Sequence, residues 1–188
     1  MFNPAGETHI VLMHYGCKRN IVRCLVKRGC KVTVMPAFAT AEEVAAQHPD
    51  GIMLSNGPQA TPAEPVEVIE NLKHIFELNI PTFGICLGHQ LSALAAGAKT
   101  MKLKYGHRGA NQPVTDFESG RTFITSQNHG YAVVGDELPA EMGEVAQVTP
   151  TTAPARASST RSGTALPCSS TRKQTAAPRI PSSCSTAS

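Results

Sequence analysis

A chain of 188 residues, of which 41% are hydrophobic, is long enough to bury one hydrophobic core. Its formal net charge of +3 is unevenly distributed, because all 14 acidic residues lie at or before Glu144 while basic residues continue to Arg179. The basic residues beyond Glu144 are scattered among Ser, Thr and Ala without aromatic neighbours, so the composition does not indicate a nucleic-acid-binding surface.

The six cysteines contain no Cys-x-x-Cys pair and no zinc-like spacing, which predicts free thiols in a reducing compartment and no metal site. No apolar run approaches the roughly 20 residues of a membrane helix, and the first residues lack the pattern of a signal peptide. We therefore expect a cytoplasmic protein that binds neither membranes nor nucleic acids.

The first half of the chain alternates between short apolar runs, which predict strands, and segments with apolar residues every three or four positions, which predict helices. The predicted strands cover residues 9–14, 31–35, 51–54 and 80–85, and the predicted helices cover residues 18–27, 40–47 and 66–78. This alternation predicts an α/β fold with a mostly parallel sheet flanked by helices, similar in its core to flavodoxin. Ligands bind such sheets beyond the carboxyl ends of the strands, where the loops at Gly57 and Cys86 begin.

Beyond Thr100 the pattern changes to short β-like pieces punctuated by Gly and Asn, at residues 112–117, 121–126 and 131–134. We expect them to form a small antiparallel extension beside the main sheet. Residues 151–188 contain nine Ser, seven Thr, seven Ala and no acidic residue. Such a segment buries too little apolar surface to offset the entropy lost on ordering, so the C-terminal tail is predicted to be disordered.

The residues around Cys86 have the pattern of a reaction centre. An apolar run rich in β-formers reaches Cys86, and an Ala/Leu-rich helical pattern begins directly after it. A nucleophile on such an elbow needs small residues two positions to either side, and Gly84 and Gly88 meet that need. The helix N-terminus favours the thiolate, and the backbone N–H of Leu87 is placed to hold an oxyanion. The alternative is a buried structural cysteine between two tight-turn glycines.

Three motifs occur in order: Leu54-Ser-Asn-Gly-Pro58, Phe83-Gly-Ile-Cys-Leu-Gly-His-Gln90 and Ser126-Gln-Asn-His-Gly-Tyr131. Together they resemble the class I, triad-type glutamine amidotransferases. The segment Lys104-Tyr-Gly-His-Arg-Gly-Ala-Asn-Gln-Pro113 narrows the resemblance to the small, glutaminase subunits of carbamoyl phosphate synthases, and the likeness covers about residues 9–148.

The resemblance implies that Cys86 attacks the side-chain amide of glutamine, forms a glutamyl thioester and releases ammonia. It further implies that a large subunit, which carries ATP and Mg²⁺, uses the ammonia to make carbamoyl phosphate for arginine or pyrimidine synthesis, whereas this domain holds no cofactor. Carried over by motif, the oxyanion and substrate contacts are made by Gly57, Leu87, Gln90, Asn128, Gly130 and Tyr131.

Some of these residues have plainer interpretations when the resemblance is set aside. Gln90 is then an exposed helix residue, and residues 128–130 are a simple turn. His89 follows Cys86 by three positions on the same helix, but the family's base comes from elsewhere, so we expect either a supporting role beside the reacting residues or a packing role for it. His129 is a motif residue that nothing in the sequence identifies as a base.

The resemblance fails at the catalytic base. The family takes its base and orienting acid from a His-Pro-Glu segment after the Asn-His-Gly motif, but here no histidine follows His129 and the His48-Pro49 pair precedes the nucleophile. General acid–base catalysis contributes roughly 100- to 10,000-fold. We therefore expect severely impaired glutamine hydrolysis, and the alternative function is a non-catalytic glutamine-binding or subunit-docking module.

The end of the chain suggests a change of reading frame. We expect residues 8–148 to form the amidotransferase domain without its C-terminal part, and residues 149–188 to be a frame-shifted tail. Gln59 stands where the family has a glycine, in a loop that is one residue longer than the family pattern. A side chain there is unfavourable if the backbone has a positive φ.

Overall fold

The computed structural model describes residues 1–57, 66–116, 120–134, 147–148, 157–158 and 164–166. Strands and helices alternate through the first half of the chain, as the apolar pattern predicts. In order they are β1 (Thr8–His14), α1 (Arg19–Lys27), β2 (Cys30–Pro36), α2 (Ala41–Ala45), β3 (Gly51–Leu54), α3 (Val66–Glu77), β4 (Thr82–Gly84) and α4 (Leu87–Ala95). The later strands are β5 (Thr100–Asp116), β6 (Thr122–Val134), β7 (Gln147–Val148), β8 (Ala157–Ser158) and β9 (Thr164–Leu166).

The main sheet has the strand order β2-β1-β3-β4-β9. Its first four strands are parallel, and β9 pairs antiparallel with β4. The register places Met13 beside Leu54 and Leu54 beside Gly84, so β1, β3 and β4 end at the same edge. The predicted α/β fold is therefore confirmed, and the loops that follow these three strands lie close together.

Alternate side chains of the strands enter two apolar clusters, one on each face of the sheet. Val11 and Ile52 belong to a cluster with residues of α2, α3 and α4, whereas Leu12 and Met53 belong to a second cluster with Leu25 of α1. Helices thus cover both faces, which explains why the strands contain almost unbroken apolar runs.

Helix α2 is shorter than predicted. Thr40 caps it as expected, because its side chain accepts the Glu43 N–H at 3.4 Å while the Glu43 carboxylate accepts the Thr40 N–H at 3.0 Å. The helix ends at Ala45 rather than near residue 47, since Gln47 and His48 donate only to carbonyls three residues back and His48 has a positive φ of 49°.

The predicted antiparallel extension is present, but its strands are longer than the sequence pieces indicate. Strands β5 and β6 pair antiparallel within a second sheet of order β7-β5-β6-β8. Pairing shifts register between Lys102 and His107 and again between Gly109 and Gln112. Gly106 and Gly109 have φ values of 67° and 143°, so glycine allows the strand to continue through these irregularities.

Within residues 149–188, the structure describes the backbone of β8 and β9, which pair with β6 and β4. The remaining residues of that segment lie outside the described part, as do residues 58–65 with Gln59. The disorder of the tail, its frame-shifted origin and the boundary at residue 148 therefore stay predictions. None of the described helices is long and apolar enough to cross a membrane.

Candidate active site

Cys86 occupies a sharp turn between β4 and α4. It is the N-cap of α4 and has φ 52° and ψ −106°, a backbone conformation that is unfavourable for a residue with a side chain. The turn is closed on either side of the cysteine, because Ile85 donates to the Leu54 carbonyl and Gly88 donates to the Ile85 carbonyl, both at 3.0 Å. The predicted strand–turn–helix elbow is confirmed.

The two glycines that flank Cys86 are required by close backbone packing. A Cβ at Gly84 would lie 2.7 Å from the carbonyl carbon of Gly88, within the first turn of α4. A Cβ at Gly88 would lie 2.4 Å from the carbonyl oxygen of Leu54 at the end of β3. Neither position accepts a side chain without moving main-chain atoms, which confirms the predicted need for small residues.

Burial decides the ionisation of the Cys86 thiol. The loss of solvent raises the pKa of Cys86, while a hydrogen bond from the Leu87 N–H and the positive charge of Lys18 act in the opposite direction. The helix N-terminus therefore favours the thiolate as predicted, but desolvation is the larger effect. A raised pKa disfavours the thiolate, so attack of Cys86 on a carbonyl requires a proton acceptor.

The loop after β3 contacts the elbow directly. A Cβ at Gly57 would lie 2.4 Å from Cδ2 of Leu87 and 2.4 Å from the carbonyl oxygen of Tyr15. Gly57 is thus held between the end of β1 and the first residue of α4. The two residues assigned to oxyanion contacts therefore lie close together, because Gly57 packs against the side chain of Leu87, which follows Cys86 in the chain.

Gln90 joins the elbow helix to the second sheet. It is 5% exposed, so the alternative of an exposed helix residue is wrong. Its Nε2 donates to the main-chain oxygen of Tyr131 at 3.0 Å, and its Oε1 has no hydrogen-bond partner among the described residues. A buried acceptor without a partner is energetically unfavourable.

Residues 128–130 lie within β6 and not in a turn. Asn128 pairs with Arg108 and His129 with His107 across the β5–β6 ladder. The side chain of Asn128 lies outside the described part of the structure. A Cβ at Gly106 would lie 3.4 Å from the Cα of Gly130, so the two strands approach closely there.

His89, near the start of α4, lies close enough to His129 of β6 for the two rings to interact electrostatically. Desolvation, with a smaller contribution from His129, lowers the pKa of His89 to about 4, so the ring is neutral at pH 7. The Nδ1 of His129 lies 2.8 Å from the main-chain oxygen of Tyr131. A neutral, packed ring agrees with the role predicted for His89.

The sequence patterns did not single out Ser55 or Lys18. Ser55 is fully buried beside the elbow, and the charge of Lys18 acts on Cys86 from a distant part of the chain. The described cysteines, Cys17, Cys24, Cys30 and Cys86, do not form disulfides. In the described part of the chain, no group of three or more His, Cys, Asp or Glu side chains is placed to hold a metal ion.

Comparisons with known proteins show the family to which the chain belongs. The family model of class I glutamine amidotransferases matches residues 11–159. The chain is 55% identical over 134 residues to the carbamoyl phosphate synthase small chain of Salmonella typhi, covering 71% of this chain and 35% of the relative. The corresponding protein of Acinetobacter baylyi is 55% identical over 140 residues, covering 74% of this chain and 37% of the relative. The chain thus spans about a third of the length of these relatives.

Solved structures with low sequence identity support the fold alone. A glutamine amidotransferase from Thermotoga maritima matches with a TM-score of 0.56 and 15% identity, covering 80% of this chain and 69% of that one. A glutamine amidotransferase from Methylobacillus flagellatus matches with a TM-score of 0.56 and 12% identity, covering 77% and 62%. The arrangement of strands and helices is therefore shared well beyond the closely similar sequences.

Proposed function

Because the chain belongs to the class I glutamine amidotransferase family, we propose that it is the glutamine-hydrolysing part of a carbamoyl phosphate synthase small subunit. The observation that carries the proposal is the elbow at Cys86, where Gly57 lies against the side chain of Leu87, the residue that follows the cysteine. The names of the relatives from Salmonella typhi and Acinetobacter baylyi support the choice of carbamoyl phosphate synthase within the family.

The proposed reaction begins at the Cys86 sulfur. The thiolate adds to the side-chain amide carbon of glutamine, and the carbonyl oxygen becomes an oxyanion beside the backbone of Gly57 and Leu87. When this intermediate collapses, the C–N bond breaks and the nitrogen leaves as ammonia after gaining a proton. Water then hydrolyses the thioester, which releases glutamate and restores the thiol.

The substrate contacts are proposed on the two sides of Cys86. Gln90, four residues after Cys86 on α4, is proposed to contact bound glutamine. Asn128, Gly130 and Tyr131 on β6 would bind the amino-acid end, and the hydrogen bond between Gln90 and Tyr131 links these two groups of contacts.

The partner in this proposal is the large chain of the synthetase, in the cytoplasm. It would receive the ammonia and combine it with bicarbonate, with ATP and Mg²⁺ bound to the large chain rather than to this domain. The carbamoyl phosphate would enter either arginine or pyrimidine synthesis, since both pathways require the same product.

We propose that the 188-residue chain hydrolyses glutamine slowly. Burial raises the pKa of Cys86, so the reaction needs a base to remove the thiol proton. No histidine follows His129 in this sequence, where the family's base would be expected. General-base catalysis is worth roughly 100- to 10,000-fold, which is the expected size of the deficit.

A glutaminase assay of the purified chain tests this proposal, with glutamate and ammonia measured together and Cys86→Ser as the matched control. We expect slow formation of both products that is absent from Cys86→Ser. Equal rates for the two proteins would contradict the assignment of Cys86. Rapid turnover that depends on Cys86 would contradict the proposed impairment.

A further inference from the structure

The side chain of Ser55 joins two loops that are far apart in sequence, the loop after β1 and the loop after β3. It is fully buried at the end of β3. Its Oγ accepts the Tyr15 N–H at 2.9 Å and donates to the carbonyl oxygen of Asn56 at 2.8 Å. Its own carbonyl oxygen accepts the Gly88 N–H at 3.1 Å. Ser55 is therefore bonded to the loop after β1, to its own loop and to the elbow helix.

A second bond joins the same two loops. The Oδ1 of Asn56 accepts the backbone N–H of Lys18 at 3.0 Å. The segment from Tyr15 to Lys18 is thus held at both ends by adjacent residues of the loop after β3. Two points of attachment restrict rotation of this loop more than one does, so the peptide groups of residues 55–57 have a defined orientation.

The position of Gly57 depends on these bonds. Gly57 follows Asn56 directly, and a Cβ on it would meet both the Tyr15 carbonyl oxygen and the Leu87 side chain. The Ser55 hydroxyl holds the carbonyl of Asn56, which belongs to the same peptide group as the Gly57 N–H. The direction of that N–H is therefore set by the orientation of the Asn56 carbonyl.

We propose that Ser55 is a positioning residue that orients the peptide between Asn56 and Gly57 toward the oxyanion formed at Cys86. The inference rests on the glutaminase function proposed above. A hydroxyl is needed at this position because it accepts one hydrogen bond and donates another at the same time, which no apolar side chain does. Ser55 itself makes no contact with the substrate in this proposal.

Ser92 offers a matched control. It is also buried, with 4% exposure, and its Oγ donates to the Gly88 carbonyl at 2.8 Å within α4. Ser92→Ala therefore removes a buried hydroxyl close to the elbow without affecting the bonds between the loops. A general loss of packing or polarity would affect Ser92→Ala and Ser55→Ala alike, whereas loss of positioning would affect Ser55→Ala alone.

The test compares two reagents that modify Cys86. The diazoketone analogue of glutamine, 6-diazo-5-oxo-L-norleucine, requires a formed glutamine site, whereas iodoacetamide requires only an accessible thiol. Modification is followed by peptide mapping. In Ser55→Ala we expect the diazoketone rate to fall about 10- to 100-fold and the iodoacetamide rate to change by less than about 3-fold. Ser92→Ala should change neither rate by more than about 3-fold.

The inference would be overturned if Ser55→Ala lost reactivity toward the diazoketone and toward iodoacetamide to the same extent. It would also be overturned if Ser92→Ala showed the selective loss of the diazoketone rate that is expected for Ser55→Ala. If Ser55→Ala does not fold, Asn56→Ala breaks the other bond between the loops at a half-buried position. It should show the same selective loss of the diazoketone rate. If Asn56→Ala reacts with both reagents at the same rates as the unchanged protein, the positioning role is contradicted.

Amide hydrogen exchange separates this inference from the proposed function. In Ser55→Ala the exchange at Tyr15 and Lys18 should become faster than in the unchanged protein and in Ser92→Ala, whether or not Cys86 reacts with the diazoketone. Faster exchange in a protein that the diazoketone does not label would place the failure in the proposed function. Unchanged exchange at both amides would overturn the inference about Ser55.

Discussion

Gln90 and Tyr131 are linked by a hydrogen bond of 3.0 Å from the Gln90 side chain to the Tyr131 main-chain oxygen, although they are 41 positions apart in sequence. The bond joins the helix that begins at Cys86 to the strand that carries the Asn-His-Gly motif. Two parts of the proposed glutamine site are thereby held in a fixed relation.

Replacing Gln90 by leucine should affect ligand binding more than stability. The variant loses the bond to Tyr131 but also removes the unpartnered Oε1, so the free energy of unfolding should change by no more than about 1–2 kcal/mol. The rate at which the diazoketone labels Cys86 should fall at least about 10-fold, because a substrate contact is lost. Urea unfolding and labelling kinetics measure the two effects. An unchanged labelling rate would show that Gln90 does not contact the ligand.

Gly88→Ala should disrupt the elbow. Its Cβ would meet the Leu54 carbonyl at 2.4 Å, and main-chain atoms on both sides would have to move. We expect a loss of about 3 kcal/mol or more in the free energy of unfolding. Gly29→Ala is the matched control, because nothing lies within 4 Å of its Cβ while its φ is 82°. It should lose only about 1–2 kcal/mol through the unfavourable backbone angle. Equal losses would argue against the packing explanation.

Because the pKa of Cys86 is raised, the free energy of unfolding should vary with pH in the alkaline range. The unfolded chain releases the thiol proton at a lower pH than the folded chain, so this contribution is present below the unfolded pKa and is lost as pH rises through the folded pKa. The difference in unfolding free energy between the unchanged protein and Cys86→Ser should therefore decrease above about pH 8.5. A constant difference would show that burial does not raise this pKa.

The positive charge of Lys18 opposes the rise in the pKa of Cys86 that burial causes. Lys18→Met should therefore raise this pKa further. The pH dependence of iodoacetamide modification at Cys86 measures the change. Lys73→Met, on the exposed side of α3, serves as the control because Lys73 pairs with Glu70 and does not act on the thiol. Equal pH profiles for Lys18→Met and Lys73→Met would contradict this electrostatic role.

His89 should make the protein sensitive to acid. Its pKa of about 4 lies below that of an unfolded histidine, so its contribution to stability is present above about pH 6.5 and is lost as pH falls through 4. The loss should amount to about 2–3 kcal/mol. Urea unfolding of the unchanged protein and of His89→Asn between pH 7 and about pH 4 isolates the effect. Parallel curves would show that His89 remains accessible to protons in the folded state.

Local sequence patterns predict much of this fold for identifiable reasons. Continuous apolar runs predict β1 and β3 because both faces of the sheet are covered, and Thr40 predicts the start of α2 through its capping box. The glycine spacing around Cys86 predicts the elbow because the backbone packs too closely there for side chains.

Other features depend on contacts that local patterns do not contain. Gly106 and Gly109 have the sequence character of turns, yet β5 continues through them because β6 supplies the partner for an irregular ladder. Burial outweighs the helix N-terminus at Cys86, and burial is set by the surrounding loops. The bond between Tyr15 and Ser55 spans 40 residues, so it becomes visible only in the folded chain.

Labelling with 6-diazo-5-oxo-L-norleucine, in the presence and absence of glutamine, tests the central claim that Cys86 is a glutamine-directed nucleophile. The other described cysteines, Cys17, Cys24 and Cys30, which do not form disulfides, provide internal comparisons in the same protein. We predict one adduct, located at Cys86 by peptide mapping and suppressed by glutamine. Absence of an adduct at Cys86, or labelling of all four cysteines at similar rates without protection by glutamine, would contradict the claim.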